Sequence, residues 1–125
     1  MATQDDVRRI ALALPATSEE DGYVRFLVAG KAFAWCWLER IEPKRARVPN
    51  AEVIGIRIAH ELEKEALIEM DPAAFFTEPH YDGFPAILVR LGAVDMAMLE
   101  KLLNDAWRIQ APKRLMRDTD AGRSS

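Results

Sequence analysis

A single cysteine, Cys36, in 125 residues excludes an intramolecular disulfide and any zinc site built on several thiolates. Only two histidines are present, His60 and His80, so a transition-metal site drawing on three or four nitrogen or sulfur donors is short of ligands. No apolar run approaches the length of a membrane span. The opening MATQDDVRRIALALP has acids too early, and too short an apolar stretch, for a signal peptide. The expectation is a cytoplasmic chain in a reducing setting, without membrane contact.

Catalytic motifs are missing as well. There is no G-x-S-x-G elbow and no dinucleotide fingerprint, and AHELEKE supplies the first His-Glu of a zinc-protease motif without a second histidine. Gly30-Lys31 is not a phosphate loop, because Arg25 stands where the earlier glycine is needed and Ala32 where a hydroxyl should follow. Ser18, Ser124 and Ser125 fall in loop or tail. Cys36 lies inside a strand pattern, where a packed, inert thiol is expected. These absences predict a non-enzymatic protein with no catalytic residue, no metal and no cofactor.

What is present is the material of one soluble domain. Half of the residues are hydrophobic and 30% are charged, enough to bury a core without covalent staples. The domain is expected over residues 1–115, as a monomer, with a polar, disordered tail at 116–125. The formal net charge of −3 argues against a protein that coats DNA, because phosphate neutralisation supplies most of that affinity.

Thr3 precedes Asp5 and Asp6 and a stripe of Val7, Ile10, Ala11 and Leu14, predicting a capped helix stopped by Pro15. ATSEEDG reads as a polar connection. YVRFLVAGKAFAWCWL predicts a hairpin turning at Gly30-Lys31 in a type II′ turn. A charged wing, ERIEPKRARVPNAE, leads to a third strand at Val53 to Ile58. An acidic helix is expected from His60 to Met70, with Leu62, Ala66, Leu67 and Met70 on its apolar face, then a further turn at DPAAFF. AILVRL is a strand. Asp95 caps a last helix carrying Leu99, Leu102, Leu103, Ala106 and Trp107 on one face. The predicted class is α+β: a two-layer α/β sandwich with a mostly antiparallel sheet flanked by N- and C-terminal helices.

Two segments are strongly basic. Residues 40–47 carry Arg40, Lys44, Arg45 and Arg47 against Glu42, a net +3. Residues 108–117 carry Arg108, Lys113, Arg114 and Arg117 with no acid, a net +4. If the two converge they form a patch that grips phosphates; the alternatives are dipole complementarity at a helix end and ordinary surface solubility.

Strand alternation puts Val24, Phe26 and Val28 on one side, with Tyr23, Arg25 and Leu27 on the other. Ile54, Ile56 and Ile58 leave Arg57 opposite, and Ile87, Val89 and Leu91 leave Leu88 and Arg90 opposite. Arg25, Arg57 and Arg90 are therefore expected on the uncovered face. Trp35 and Trp37 are in phase with each other and with Phe33, and two placements stay open. If Ala34 and Cys36 face the helices, the tryptophans join the arginines as a stacking and cation–π platform; if the phase is reversed, they are core. PHYDGFP supplies His80 and Tyr81, expected first as a rigid turn and then as the rim of a binding surface.

PHYDGFPAILVRL and AWRIQAPKRL, together with Leu14-Pro15, Lys31-Ala32-Phe33-Ala34 and the Asp-Pro…Phe-Phe turn of DPAAFF, resemble the MmcQ/YjbR family of small bacterial proteins over about residues 5–115. The paired tryptophans of AWCWL depart from that family's pattern. The resemblance implies a CyaY-like (frataxin-like) fold of the double-wing type and DNA as a partner, for which the basic segments read above offer Arg40, Lys44, Arg45, Arg47, Arg108, Lys113 and Arg114. The rival expectation is a small-molecule or protein partner on Arg25, Trp35, Trp37, Arg57, His80, Tyr81 and Arg90. The frataxin likeness also raises weak iron ligation by the carboxylates of Glu61, Glu63, Glu65, Glu69 and Asp71, for which a solvated helix face is the simpler expectation.

Overall fold

The structure, a computed structural model, describes residues 2–20 and 24–115. Tyr23, Arg117 and the expected tail at 116–125 lie outside the described residues.

Local chemistry sets both long helices. The first, α1 (Gln4–Leu12), opens on a reciprocal capping box: Asp6 N–H donates to Thr3 Oγ1 at 3.2 Å, and Thr3 N–H donates to the Asp6 carboxylate at 2.9 Å. The last helix (Met96–Gln110, called α3) is capped by Asp95, whose carboxylate accepts from Met98 N–H. Val7, Ile10 and Ala11 from α1 are buried, as are Leu99, Leu102, Leu103, Ala106 and Trp107 from α3. Both stripes pack on one face of a six-stranded sheet.

Those strands are β1 (Thr17–Glu19), β2 (Arg25–Val28), β3 (Lys31–Glu39), β4 (Val48–Arg57), β5 (Phe75–Phe76) and β6 (Ala86–Arg90). Their spatial order is β1-β2-β3-β4-β6-β5 and every pairing is antiparallel. Phe26, Phe33, Ile54, Ile56, Ile87 and Val89 meet the helices in the main core. Each fully buried side chain of this size contributes about 1.5–3 kcal/mol. This is an α+β, two-layer sandwich whose helices at both ends of the chain share one sheet face.

Several element-level expectations are corrected. The β2–β3 turn is centred on Ala29-Gly30, not Gly30-Lys31. Both residues have positive φ, +51° and +81°, and Val28 pairs with Lys31, which makes a type I′ turn matched to the strand twist. The polar connection after Pro15 contains edge strand β1, and DPAAFF folds as a turn at Asp71 followed by edge strand β5. The third strand begins at Val48 rather than Val53, so the charged segment 40–47 is the tip of the β3–β4 hairpin. The acidic helix, α2, runs Glu63–Met70, and of its predicted apolar face Leu67 alone packs, half-buried, against the main core. Leu62 and Met70 are 75% and 55% exposed, whereas Lys64 is buried.

A bulge decides the tryptophan phase. Phe26 pairs with Ala34 and Leu27 with Ala32, which leaves Phe33 as the extra residue. Phe33 and Ala34 consequently both enter the main core, and alternation restarts beyond them. Trp35 pairs with Gly55, while Ala34 and Cys36 pair with the core residues Ile56 and Ile54. Both tryptophans therefore lie on the face away from α1 and α3.

Candidate functional site

The open face is built around Trp35 and the strand residue opposite it. A Cβ placed on Gly55 would stand 2.3 Å from Trp35 Nε1 and 2.7 Å from Cε2, so the pyrrole half of the indole sits directly on the glycine backbone. From that seat Nε1 donates to Tyr81 Oη at 2.9 Å, across 46 residues of sequence. Phe84 stands edge-on to both rings, at 6.2 Å from Trp35 and 6.3 Å from Tyr81.

The loop that brings Tyr81 over the sheet is tied down on each side. Pro79–Tyr81 forms one 3-10 turn, and Gly83 follows at φ +79°, a left-handed conformation that favours glycine. From α2 the buried Lys64 ammonium donates to the Tyr81 carbonyl, and just ahead of that helix the Glu61 carboxylate accepts from Gly83 N–H. From the strand side, the Glu78 carboxylate accepts from Trp37 Nε1 at 3.4 Å and from Arg47 at 3.3 Å. PHYDGFP is thus both a rigid turn and one wall of a cleft.

Two adjoining cavities, about 580 and 680 Å³, share Arg25, Trp35, His80 and Tyr81 in their walls. Burial pushes the Tyr81 phenol above its ordinary range, and the nearby Glu78 carboxylate adds to this against the Trp35 N–H and the Arg47 guanidinium. Cys36 reaches the smaller cavity, but burial raises its thiol as well, which disfavours the nucleophilic thiolate. Among the described residues no group of three or more His, Cys, Asp or Glu side chains is placed to hold a metal ion, and no helix is long and apolar enough to cross a membrane.

Of the residues expected on the open face, Arg25, Trp35, Arg57, His80 and Tyr81 come together. Two do not. Trp37 is only 9% exposed and packs with Val53, Leu88 and Phe76 in a second, smaller core. Arg90 lies over the Phe76 ring at 4.1 Å and donates to the Pro72 and Ala73 carbonyls, toward the far edge of the sheet.

The two basic segments are kept apart. Gln110, at the end of α3, donates to the Ala32 carbonyl near the start of β3, while residues 40–47 follow its end at Glu39. The strand between them spans roughly 25 Å at about 3.3 Å per residue. On the wing, Arg45 pairs with Glu42, Arg40 donates to the Pro43 and Arg45 carbonyls, and Lys44 is exposed. Arg47 is half-buried and turned inward, toward Glu78 and the Leu38 carbonyl. Lys113 and Arg114 are exposed past α3, and Arg108 lines a separate small cavity with Glu63 and Asp105.

Sequence reasoning did not assign Gly55, Lys31, Lys64 or Phe84 to this site. For Gly55 the signal was visible, since a glycine inside an isoleucine-rich strand marks a close approach. For Lys64 none was: hydrophobic periodicity does not place a lysine in a protein interior.

The sequence model of the YjbR family matches residues 12–109. Uncharacterized proteins of Mycobacterium bovis and of two Mycobacterium tuberculosis strains are each 40% identical over 122 residues, covering 93% of this chain and 94% of theirs. The crystal structure of a Deinococcus radiodurans protein, with a domain described as DUF419, superposes with a TM-score of 0.63. It is 20% identical and is matched over 86% of this chain and 77% of that one, a likeness of fold alone. The chain belongs to the YjbR family.

Proposed function

We propose that this YjbR-family chain is a non-enzymatic binding module that holds a small planar molecule against the open face of its sheet, between Trp35, Tyr81 and His80. The observation that supports this reading best is the indole seated on Gly55. A glycine inside a strand costs roughly 0.5–1 kcal/mol against a residue with a side chain. Here it leaves space for Trp35 to lie across β4, reach Tyr81 and wall both cavities. A clamped loop on one side and a regular sheet on the other provide the preformed concavity that small ligands use. The test is to titrate the protein with neutral, carboxylated and phosphorylated aromatic compounds while following the tryptophan indole N–H resonances. Shifts confined to Trp35, with Trp37 and Trp107 unmoved, are expected. If no compound moves Trp35, the reading fails.

A second reading, phosphate-driven DNA binding, is supported by the exposed Arg40, Lys44 and Arg45 at one hairpin tip. With Lys113 and Arg114 at the other end of the sheet, the wing would carry such binding alone. The CyaY-like description is consistent with two terminal helices on one sheet face, and it brings no ligand with it. Salt separates DNA binding from binding of an uncharged planar ligand, because affinity spread over several phosphates of a polyanion falls steeply with ionic strength and stacking on an aromatic wall does not.

A further inference from the structure

The two lobes of the cleft differ in charge, and the difference bears on which planar ligand fits, given the binding reading above. Glu20 lines the smaller lobe and holds Arg25 in an ion pair at 2.9 Å. The larger lobe has Arg25, Lys31 and Arg57 in its wall and no carboxylate. Among the described residues, neither Lys31 nor Arg57 has a carboxylate within ion-pair distance. Arg57 uses Nε on the Ile58 carbonyl, and its guanidinium carbon lies 6.0 Å from the centre of the Phe84 ring. Three cations thus gather around an aromatic wall in a chain whose net charge is −3.

Sheet register explains how they gather. Arg25 is the direct cross-strand neighbour of Trp35 on β2, and Arg57 stands two residues beyond Gly55 on β4. Such diagonal neighbours are about 7–8 Å apart, within reach of long side chains. Tyr81 Oη accepts the indole N–H, which leaves its own proton to donate.

We infer that this lobe binds a phosphate monoester that carries an aromatic ring, with the ring against Trp35 and Phe84 and the dianion among Lys31, Arg57 and Arg25. A monoester carries about −1.5 to −2 charges at neutral pH and three acceptor oxygens, enough to engage several cations and the Tyr81 hydroxyl together. A carboxylate, with one charge, is matched by a single guanidinium.

Calorimetric titration of the whole chain with adenosine monophosphate, adenosine and a short single-stranded oligonucleotide without a terminal phosphate tests this. The monophosphate is expected to bind at least about tenfold more tightly than adenosine, and more tightly than the oligonucleotide, whose internal diesters each carry a single charge. Lys31→Gln and Arg57→Gln should each weaken the monophosphate by about tenfold and narrow its advantage over adenosine by a similar factor. Equal binding of adenosine and its monophosphate overturns the phosphate inference while the cleft stands. Tighter binding of the oligonucleotide overturns it in favour of nucleic acid. No binding of the monophosphate also overturns it, and if the wider aromatic set leaves Trp35 unmoved too, the cleft reading falls with it.

Discussion

A methyl group on residue 55 would collide with the indole that rests there, at 2.3 Å from Nε1, so Gly55→Ala forces Trp35 off its seat. Overpacking of this kind costs about 1–3 kcal/mol, readable as a lower urea midpoint. In a Trp35→Ala background the same substitution should cost little, and a double-mutant cycle with no coupling would show that the glycine serves something else. Tyr81 makes a second prediction at this scale. Burial raises its pKa from the ordinary 10.0, so the folded chain holds the phenol proton more tightly than the unfolded one. That contribution is fully present below the unfolded value and is lost as pH rises through the higher folded one. Stability of the native sequence should therefore fall with pH in the alkaline range above about 10, and more steeply than that of Tyr81→Phe. Parallel slopes for the two proteins would contradict it.

Elements explain why the cleft has a fixed wall. From α2, Lys64 donates to the Tyr81 carbonyl, and Glu61 just before it accepts from Gly83 N–H, so the helix acts as a latch on the loop. Lys64→Met keeps a buried apolar stem but removes the donor, and a lost hydrogen bond to a charged group costs about 1.5–3 kcal/mol. Faster amide exchange at Tyr81 and Gly83, with α3 unaffected, is the expected outcome; uniform acceleration would mean that the whole domain had been weakened instead. How much of this was legible varied by element. The capped helices were, because Thr3 and Asp95 precede apolar stripes at helical period and caps act locally. Strands with continuous alternation, such as Ile54–Ile56 and Ile87–Leu91, were legible for the same reason. The Phe33 bulge was not: one inserted residue inverts the phase of everything after it, and alternation carries no record of which partner residue was skipped. The start of β4 was hidden by Pro49 and the neighbouring charges, which read as a loop until pairing with Leu38 and Glu39 extends the strand. In α2 only Leu67 of the predicted apolar face packs against the core, because a lysine, held by a carbonyl outside the helix, occupies the fully buried position.

At the scale of the whole molecule the distribution of charge makes the two partner classes distinguishable by experiment. A strand of nine residues separates the wing from the end of α3, so their cations do not act on one short ligand together. If DNA binds, the wing contacts it alone, and the salt slope should reflect about three phosphates: log K falling by roughly 2.7 per decade of salt on duplex. Glutamate at Lys44 and Arg45 together should abolish such binding without disturbing the fold, since both are exposed, while Arg40 is left in place because it donates to the Pro43 and Arg45 carbonyls of the hairpin tip. Glutamate at Lys113 and Arg114 should change it little. Arg47 is unsuitable for that test, because it pairs with Glu78 beneath the cleft and its loss would loosen the loop carrying Tyr81. Fluorescence anisotropy of a labelled duplex at low and physiological salt makes the measurement. A slope near twice the wing's value, sensitive to Lys113 and Arg114, would require the duplex to span both ends of the sheet and would move the interface from the cleft to the flank of the molecule.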